Sequence, residues 1–169
     1  MLAGDNLAGD RESGMEKADL ARIHSWVVQR WHLDQFGHMN VRWYAHLFDD
    51  AIWMLWGAMG LDQNALQRAH GCHTVTAVSE TTFRRECVDG DLIRVDGAVT
   101  RVGTRSVAFL LAARTPRTGE VHATCRVVEV FVSPGDHAPV PIPDALRGRL
   151  KALVGSPPPP PPPDAAAGG

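Results

Sequence analysis

Apolar and polar positions follow a helical pattern in one long stretch of the chain. From Val41 to Met59, apolar residues recur every three or four positions, which predicts one long helix. No charged residue occurs between Ala51 and Met59, so the second half of this helix is expected to be buried on most sides. Asn40 is predicted to cap its N-terminus, and Gly60 to end it.

Strand-like segments precede and follow this helix along the chain. Residues 24–33 are predicted to form a first strand, and short turns separate four later candidates, as in antiparallel hairpins. The later candidates are residues 73–87, 92–102, 105–114 and 120–132. Short helices are expected within 61–71 and 144–154. This order predicts an α+β fold in which one antiparallel sheet wraps around one long central helix.

The folded domain is predicted to span residues 23–154, between two tails. The tail of residues 1–22 is acidic and glycine-containing and lacks the apolar core of a secretory signal, and Met15 could be the true start. The tail of residues 155–169 contains seven consecutive prolines, which are expected to stay extended. It could dock in an aromatic groove or remain disordered.

Composition narrows the classes of function. The 169 residues are 44% hydrophobic with a formal net charge of -2, which favours one domain without a nucleic-acid or membrane partner. No apolar run reaches the roughly 18 residues of a membrane span. Cys72, Cys87 and Cys125 fit neither a disulfide framework nor a zinc pattern. This cysteine usage favours a reducing, cytoplasmic location. The eight histidines show no ligand spacing, so no metal or cofactor is predicted.

The motif with the clearest chemistry lies in residues 34–44 and reads Asp-x-x-Gly-His-Met-Asn-x-x-x-Tyr. It resembles the signature of hotdog-fold acyl-CoA thioesterases, the 4-hydroxybenzoyl-CoA thioesterase-like superfamily. Residues 38–51 look most like its bacterial acyl-CoA thioesterase branch, which includes betainyl-CoA thioesterases. Residues 83–87, Phe-Arg-Arg-Glu-Cys, are similar to a stretch of plant acyl-ACP thioesterases. The resemblance covers roughly residues 24–150 and implies a hotdog fold.

Two departures limit what the resemblance implies. The plant enzymes carry an asparagine where this chain has Phe36, so a mechanism that needs a carboxamide there is not expected. Classical 4-hydroxybenzoyl-CoA enzymes lack a histidine at the position of His38, so they imply no role for it.

The resemblance implies hydrolysis of an acyl-CoA thioester to the free acid and CoA. The residue that matches Asp34 acts in the family as nucleophile or as base for water, and the backbone N–H that matches Val41 holds the thioester carbonyl. The positive end of the helix favours the ionised form of Asp34 and offers free amides to a developing oxyanion. His38 could donate to the thioester oxygen or the leaving thiolate, or it could only fix the loop.

Glu86 is the second candidate carboxylate. The resemblance implies that it could act as general base on water, in a site shared with the partner subunit of a dimer. Alternatively it is a surface residue paired with Arg84 on the same strand face. Cys87 is then expected on the opposite face, as a structural residue.

Three further residues are candidates for substrate binding. Gly37 permits a close backbone approach or a positive φ. Asn40 suits a cap better than a catalyst, and the hydroxyl of Tyr44 could reach the pocket from the first turn of the helix.

Aromatic and basic residues raise further possibilities. Four tryptophans near the loop and helix could be core residues, or could line a pocket for an aromatic acyl group or a quaternary ammonium. They are Trp31, Trp43, Trp53 and Trp56. The CoA phosphates could be bound by arginines from a set of four. These are Arg84, Arg85, Arg101 and Arg105.

Alternative functions remain open at this point. An acyl-ACP thioesterase, a hotdog hydratase or dehydratase, and a non-catalytic acyl-CoA-binding module would all use the same fold. A homodimer or homotetramer is expected in each case, because a single open sheet leaves an edge strand to pair.

Overall fold

The structure, a computed structural model, describes residues 22–155. Met15 and the proline run lie outside the described residues, as does nearly all of the predicted N-terminal tail. No helix within 22–155 is long and apolar enough to cross a membrane.

The long predicted helix is α1, which spans Val41–Ala58. Its N-terminus is capped as expected, because Oδ1 of Asn40 accepts a hydrogen bond from the amide of Arg42 at 3.1 Å. At the other end Gly60 has a φ of +66°, a left-handed conformation that suits glycine and ends the helix.

Five antiparallel strands form one sheet, in the spatial order β1-β3-β4-β5-β2. The strands are β1 (His24–Val27), β2 (His73–Phe83), β3 (Leu92–Val102), β4 (Ser106–Arg114) and β5 (Val121–Val132). Two short helices complete the described chain, α2 (Gln63–His70) and α3 (Asp144–Leu153), close to the predicted positions. The order of strand, long helix and four strands is confirmed.

The expected hairpin between the second and third strands is wrong. β2 pairs with β5, so β2 and β3 lie three positions apart in the sheet. The reason is residues 84–91, which form no strand and cross the end of the sheet. This segment ends beside β1, where the amide of Val28 donates to the carbonyl of Asp91 at 2.9 Å. β2 also ends four residues earlier than expected, and β1 ends at Val27 because a 3-10 turn follows at Arg30–His32.

The core lies between α1 and the sheet. The fully buried ring of Trp56 packs edge-on against Phe109 and Phe131, with ring centroids 5.7 and 6.0 Å away. The opposite side of the helix is uncovered among the described residues, and Trp53 and Met54 are 53% and 52% exposed. The expectation that this half is buried on most sides is therefore wrong, because the sheet covers only one face of α1.

Candidate active site

The loop that carries Asp34 is held closed by its own backbone. The amide of Asp34 donates to the carbonyl of His38 at 2.9 Å, and the amide of Gly37 donates to the carbonyl of Asp34 at 3.1 Å. Gly37 has a φ of +83°, so the turn requires a residue that tolerates the left-handed region. Oδ1 of Asp34 accepts from the amide of Phe36 at 2.8 Å, which fixes the orientation of the carboxylate.

The N-terminus of α1 directly follows this loop. Val41 is the first helical residue, and its amide has no acceptor within residues 22–155, as the first amides of a helix have no partner in their own helix. Hydrogen bonds to two different segments fix the backbone just before the helix. The amide of Met39 donates to the carbonyl of Cys87 at 2.8 Å, and that of Asn40 to the carbonyl of His32 at 2.9 Å.

An open groove of about 840 Å³ lies at this end of the sheet. It brings together five of the residues that the sequence singled out. They are Asp34, His38, Val41, Tyr44 and Glu86. Gly37 and Asn40 shape the loop and cap the helix and do not line the groove. Among these residues the groove therefore holds two carboxylates, a free helix-terminal amide and a histidine.

Glu86 lies beyond the end of β2, in the crossing segment, and not on a strand as expected. Its Oε2 lies 3.1 Å from Nε2 of His38 within the same chain. The alternative pairing with Arg84 is not formed. The two side chains are 37% exposed for the histidine and 70% for the glutamate, so solvent screens their attraction.

The next residue, Cys87, points away from the groove into the core. Its sulfur accepts a hydrogen bond from the hydroxyl of Tyr44 at 3.2 Å, and both residues are buried. Burial raises the pKa of Cys87 to about 11; the bond from Tyr44 opposes this shift, and the charge of Asp91 adds to it. Burial likewise raises the pKa of Tyr44. A protonated thiol is a poor nucleophile, which agrees with a structural role for Cys87.

Among the groove residues that the sequence did not single out is a buried histidine. His122 is only 4% exposed, and its Nδ1 lies 3.1 Å from the carbonyl oxygen of Glu86. Its Nε2 lies 2.8 Å from Oγ1 of Thr115. His122 is the second residue of β5, a strand that contains both apolar and polar residues, and it belongs to no local motif. No signal in the sequence alone set it apart.

The tryptophans do not form the aromatic pocket that was considered. None lines the groove within residues 22–155. Trp56 is in the core, Trp31 and Trp53 are exposed, and Trp43 packs against Trp26 at 6.4 Å between centroids. The apolar lining instead comes from other residues. These are Met39, Val41, Phe83 and Val88, together with the ring of Tyr44.

Two of the four arginines considered for CoA phosphates line the groove. They are Arg84 and Arg85. The guanidinium of Arg85 forms an ion pair with the carboxylate of Glu120, with 2.6 Å between nitrogen and oxygen. Arg101 and Arg105 lie at the opposite ends of the strands and are excluded from this groove. Within residues 22–155, no group of three or more His, Cys, Asp or Glu residues could hold a metal ion.

Comparison with known proteins places the chain in a family. The family model of the thioesterase-like superfamily matches residues 27–150. None of the curated proteins compared with the chain matches it. Among solved structures, the PA5185 protein from Pseudomonas aeruginosa is 27% identical with a TM-score of 0.68, over 81% of this chain and 95% of that one.

Two other structures share the fold at lower identity. A hypothetical protein from Staphylococcus aureus in complex with CoA is 17% identical, with a TM-score of 0.71 over 83% of this chain and 88% of its own. A 1,4-dihydroxy-2-naphthoyl-CoA thioesterase from Synechocystis is 12% identical, with a TM-score of 0.67 over 77% and 95%. The chain thus belongs to the thioesterase-like superfamily, and its sheet wrapped around a central helix is the hotdog fold.

Proposed function

We propose that this protein is an acyl-CoA thioesterase that hydrolyses an acyl-CoA thioester to the free acid and CoA. The observation that carries the proposal is the unpaired amide of Val41 in the same groove as Asp34 and the His38–Glu86 pair. A thioester carbonyl needs a donor for its developing negative charge and a group that delivers or activates a nucleophile. The CoA-bound Staphylococcus aureus protein of the same fold supports a CoA thioester as the substrate class.

The reaction follows from these groups. The nucleophile adds to the thioester carbon, and the carbonyl oxygen becomes an oxyanion held by the amide of Val41 and the positive end of α1. The tetrahedral intermediate then collapses, the C–S bond breaks, and the CoA thiolate leaves and takes up a proton. Asp34 acts either as the base that removes a proton from the attacking water, which gives the free acid directly, or as the nucleophile. In the second case the acyl group passes to Asp34 as a mixed anhydride, and water then hydrolyses this anhydride to release the free acid and restore the carboxylate. His38, oriented by Glu86, is the candidate donor to the departing sulfur.

We also propose that the protein acts as a homodimer or homotetramer. β2 is an edge strand of eleven residues with no neighbouring strand on its outer side among residues 22–155. A long unpaired edge favours association with another strand. Light scattering that gives a monomer at working concentration would contradict this assembly.

The test of the proposed activity is release of free thiol from a panel of short, long, aromatic and betainyl acyl-CoAs. Wild type is compared with Asp34→Asn, which keeps the shape and the acceptor oxygen for Phe36 but removes the charge. We expect turnover by wild type and a loss of about 100-fold or more in the variant. Turnover unaffected by the substitution would move the chemistry to Glu86 or His38. No turnover of any member would overturn the proposal and favour an acyl-ACP substrate or a binding module.

A further inference from the structure

His122 lies where the chain leaves β2 and turns into the groove. The ladder between β2 and β5 ends at the pair of Phe83 and Ala123. Beyond it, the amides of Arg84 and Arg85 both donate to the carbonyl oxygen of His122, at 2.8 and 3.0 Å. One carbonyl that accepts two successive amides ends the regular pairing. The backbone of His122 therefore fixes the point from which the crossing segment departs.

The side chain of His122 holds the residue that follows. A carbonyl oxygen can only accept, so the contact at 3.1 Å between Nδ1 and the carbonyl of Glu86 requires a hydrogen on Nδ1. In the neutral ring, Nε2 is then the acceptor, and the hydroxyl of Thr115 donates to it at 2.8 Å. This pair of contacts specifies one tautomer and one ring orientation. Because His122 is buried, water competes little for either hydrogen bond.

Glu86 itself depends on this support. Its side chain is 70% exposed, and its one side-chain partner within residues 22–155 is His38. An exposed pair of this kind contributes too little to hold a flexible side chain and its backbone in one arrangement. What fixes Glu86 is its backbone, through the hydrogen bond from His122. A small displacement there would separate the carboxylate from His38.

We infer that His122, supported by Thr115, is a positioning residue that sets Glu86 against His38. This inference rests on the proposed thioesterase activity, because the pair matters only if His38 takes part in hydrolysis. His122 contacts no reacting atom in this account. It acts through the backbone of Glu86 alone.

The substitutions at His122 separate the hydrogen bond from the bulk of the ring. His122→Leu removes the donor to Glu86. His122→Asn keeps it, because the amide nitrogen of asparagine occupies the place of Nδ1. We expect His122→Leu to lower kcat about 10- to 100-fold, as for a small misplacement of a reacting group. KM should stay within about twofold, since ground-state binding is unchanged. His122→Asn should restore most of kcat.

Thr115→Val is the milder second variant, in case His122→Leu fails to fold. It is nearly isosteric and removes only the hydroxyl that orients the ring. We expect a loss of kcat in the same direction as for His122→Leu but smaller, and recovery in Thr115→Ser. The matched control is His137→Asn, in an exposed turn beyond the far end of β5, where asparagine tolerates the φ of +56°. The control should keep the wild-type kcat.

A double variant distinguishes positioning from a general structural effect. If His122 acts only through Glu86, then His122→Leu should cost nothing further in a Glu86→Gln background. Additive losses in the double variant would overturn the inference, as would a wild-type kcat in His122→Leu. Nitrogen NMR of the imidazole gives a readout without substrate: we expect an Nδ1–H tautomer for His122, and an Nε2–H tautomer would overturn the inference. Wild type without turnover would instead overturn the proposed activity on which the inference rests.

Discussion

Nε2 of His38 lies 3.1 Å from an oxygen of Glu86, although one residue precedes α1 and the other follows β2. If Nε2 donates to the carboxylate, Nδ1 of His38 is the nitrogen left to accept or deliver a proton. A histidine whose tautomer is set by a carboxylate is a recurrent arrangement for proton transfer. The pairing therefore predicts a role for Glu86 through His38 in the same chain, beside the cross-subunit role that the family resemblance implies.

This pairing predicts similar and non-additive effects of substitution at the two residues. Glu86→Gln and His38→Gln should each lower kcat by about 10²-fold or more, the scale of a lost proton-transfer group. The double variant should be little worse than either single one. The rate of thiol release at saturating substrate gives kcat. Thermal denaturation should show only small changes in midpoint, because the contact between the two side chains is open to solvent. Multiplicative losses would mean that the residues act separately.

The free amide of Val41 can be removed without removing the helix. Val41→Pro deletes the N–H at the first helical position, where proline is well tolerated. The preceding residue, Asn40, already has an extended backbone with φ -64° and ψ 143°, which a following proline requires. We expect a loss in kcat of about 10²- to 10³-fold, as for one oxyanion donor. Val41→Ala is the matched control, because it shortens the side chain and keeps the amide. Equal activity in the two variants would exclude this amide as the donor.

Stability should fall on acidification because of His32. Burial, and then the charge of nearby His46, lower the pKa of His32 in the folded chain. The unfolded chain, with a histidine pKa of about 6.5, then binds the proton more strongly. The contribution of His32 is complete above that pH and is lost as the pH falls below it. Nδ1 of His32 accepts from the amide of Gln29 at 2.9 Å, a bond that protonation of Nδ1 would break.

Urea denaturation at several pH values between 5 and 8 tests this prediction. His32→Asn serves as the control, since the amide oxygen can replace Nδ1 as acceptor and cannot titrate. The variant should lose less stability than wild type between pH 6.5 and 5. An equal loss of stability in the two proteins between pH 6.5 and 5 would mean that His32 is not the source of the acid sensitivity.

The thiol of Cys87 should be inert in the folded protein. Burial raises its pKa to about 11, so the thiolate fraction stays small up to pH 9. Cys72 and Cys125 are also buried. We expect slow labelling by a thiol reagent that rises little between pH 7 and 9, and rapid labelling of all three cysteines in guanidinium. Rapid labelling of about one thiol at pH 8 in the native protein would contradict the structure around Cys87.

Local patterns in the sequence predicted α1, its cap at Asn40 and the strands β3, β4 and β5 closely. These elements depend on periodicity and on capping chemistry, which neighbouring residues supply. The pairing of β2 was missed because a short turn signal cannot tell a hairpin from a crossing segment. The exposure of Trp53 was missed for a related reason, since periodicity gives the apolar face but not which surfaces are available to cover it.

In the site, too, features set by neighbouring residues were predicted and features set by tertiary contacts were not. Asp34 and Val41 were predicted because they lie in one continuous motif. His122 and Thr115 could not be predicted, because the contacts of His122 with Thr115 and with Glu86 form only when the β4–β5 turn reaches the end of β2. The contact between His38 and Glu86 likewise depends on the path of residues 84–91 and has no local signature.

The connection of residues 84–91 is longer than the distance between β2 and β3 requires. Three strand spacings separate β2 from β3, about 14 Å in all. The eight connecting residues could reach about 26–29 Å if fully extended. The connection is thus about twice as long as the sheet requires. The extra chain lets Cys87 approach the start of α1 and directs Glu86 towards His38. Shortening this connection by two or three residues should leave the sheet topology possible but draw Cys87 away from the start of α1.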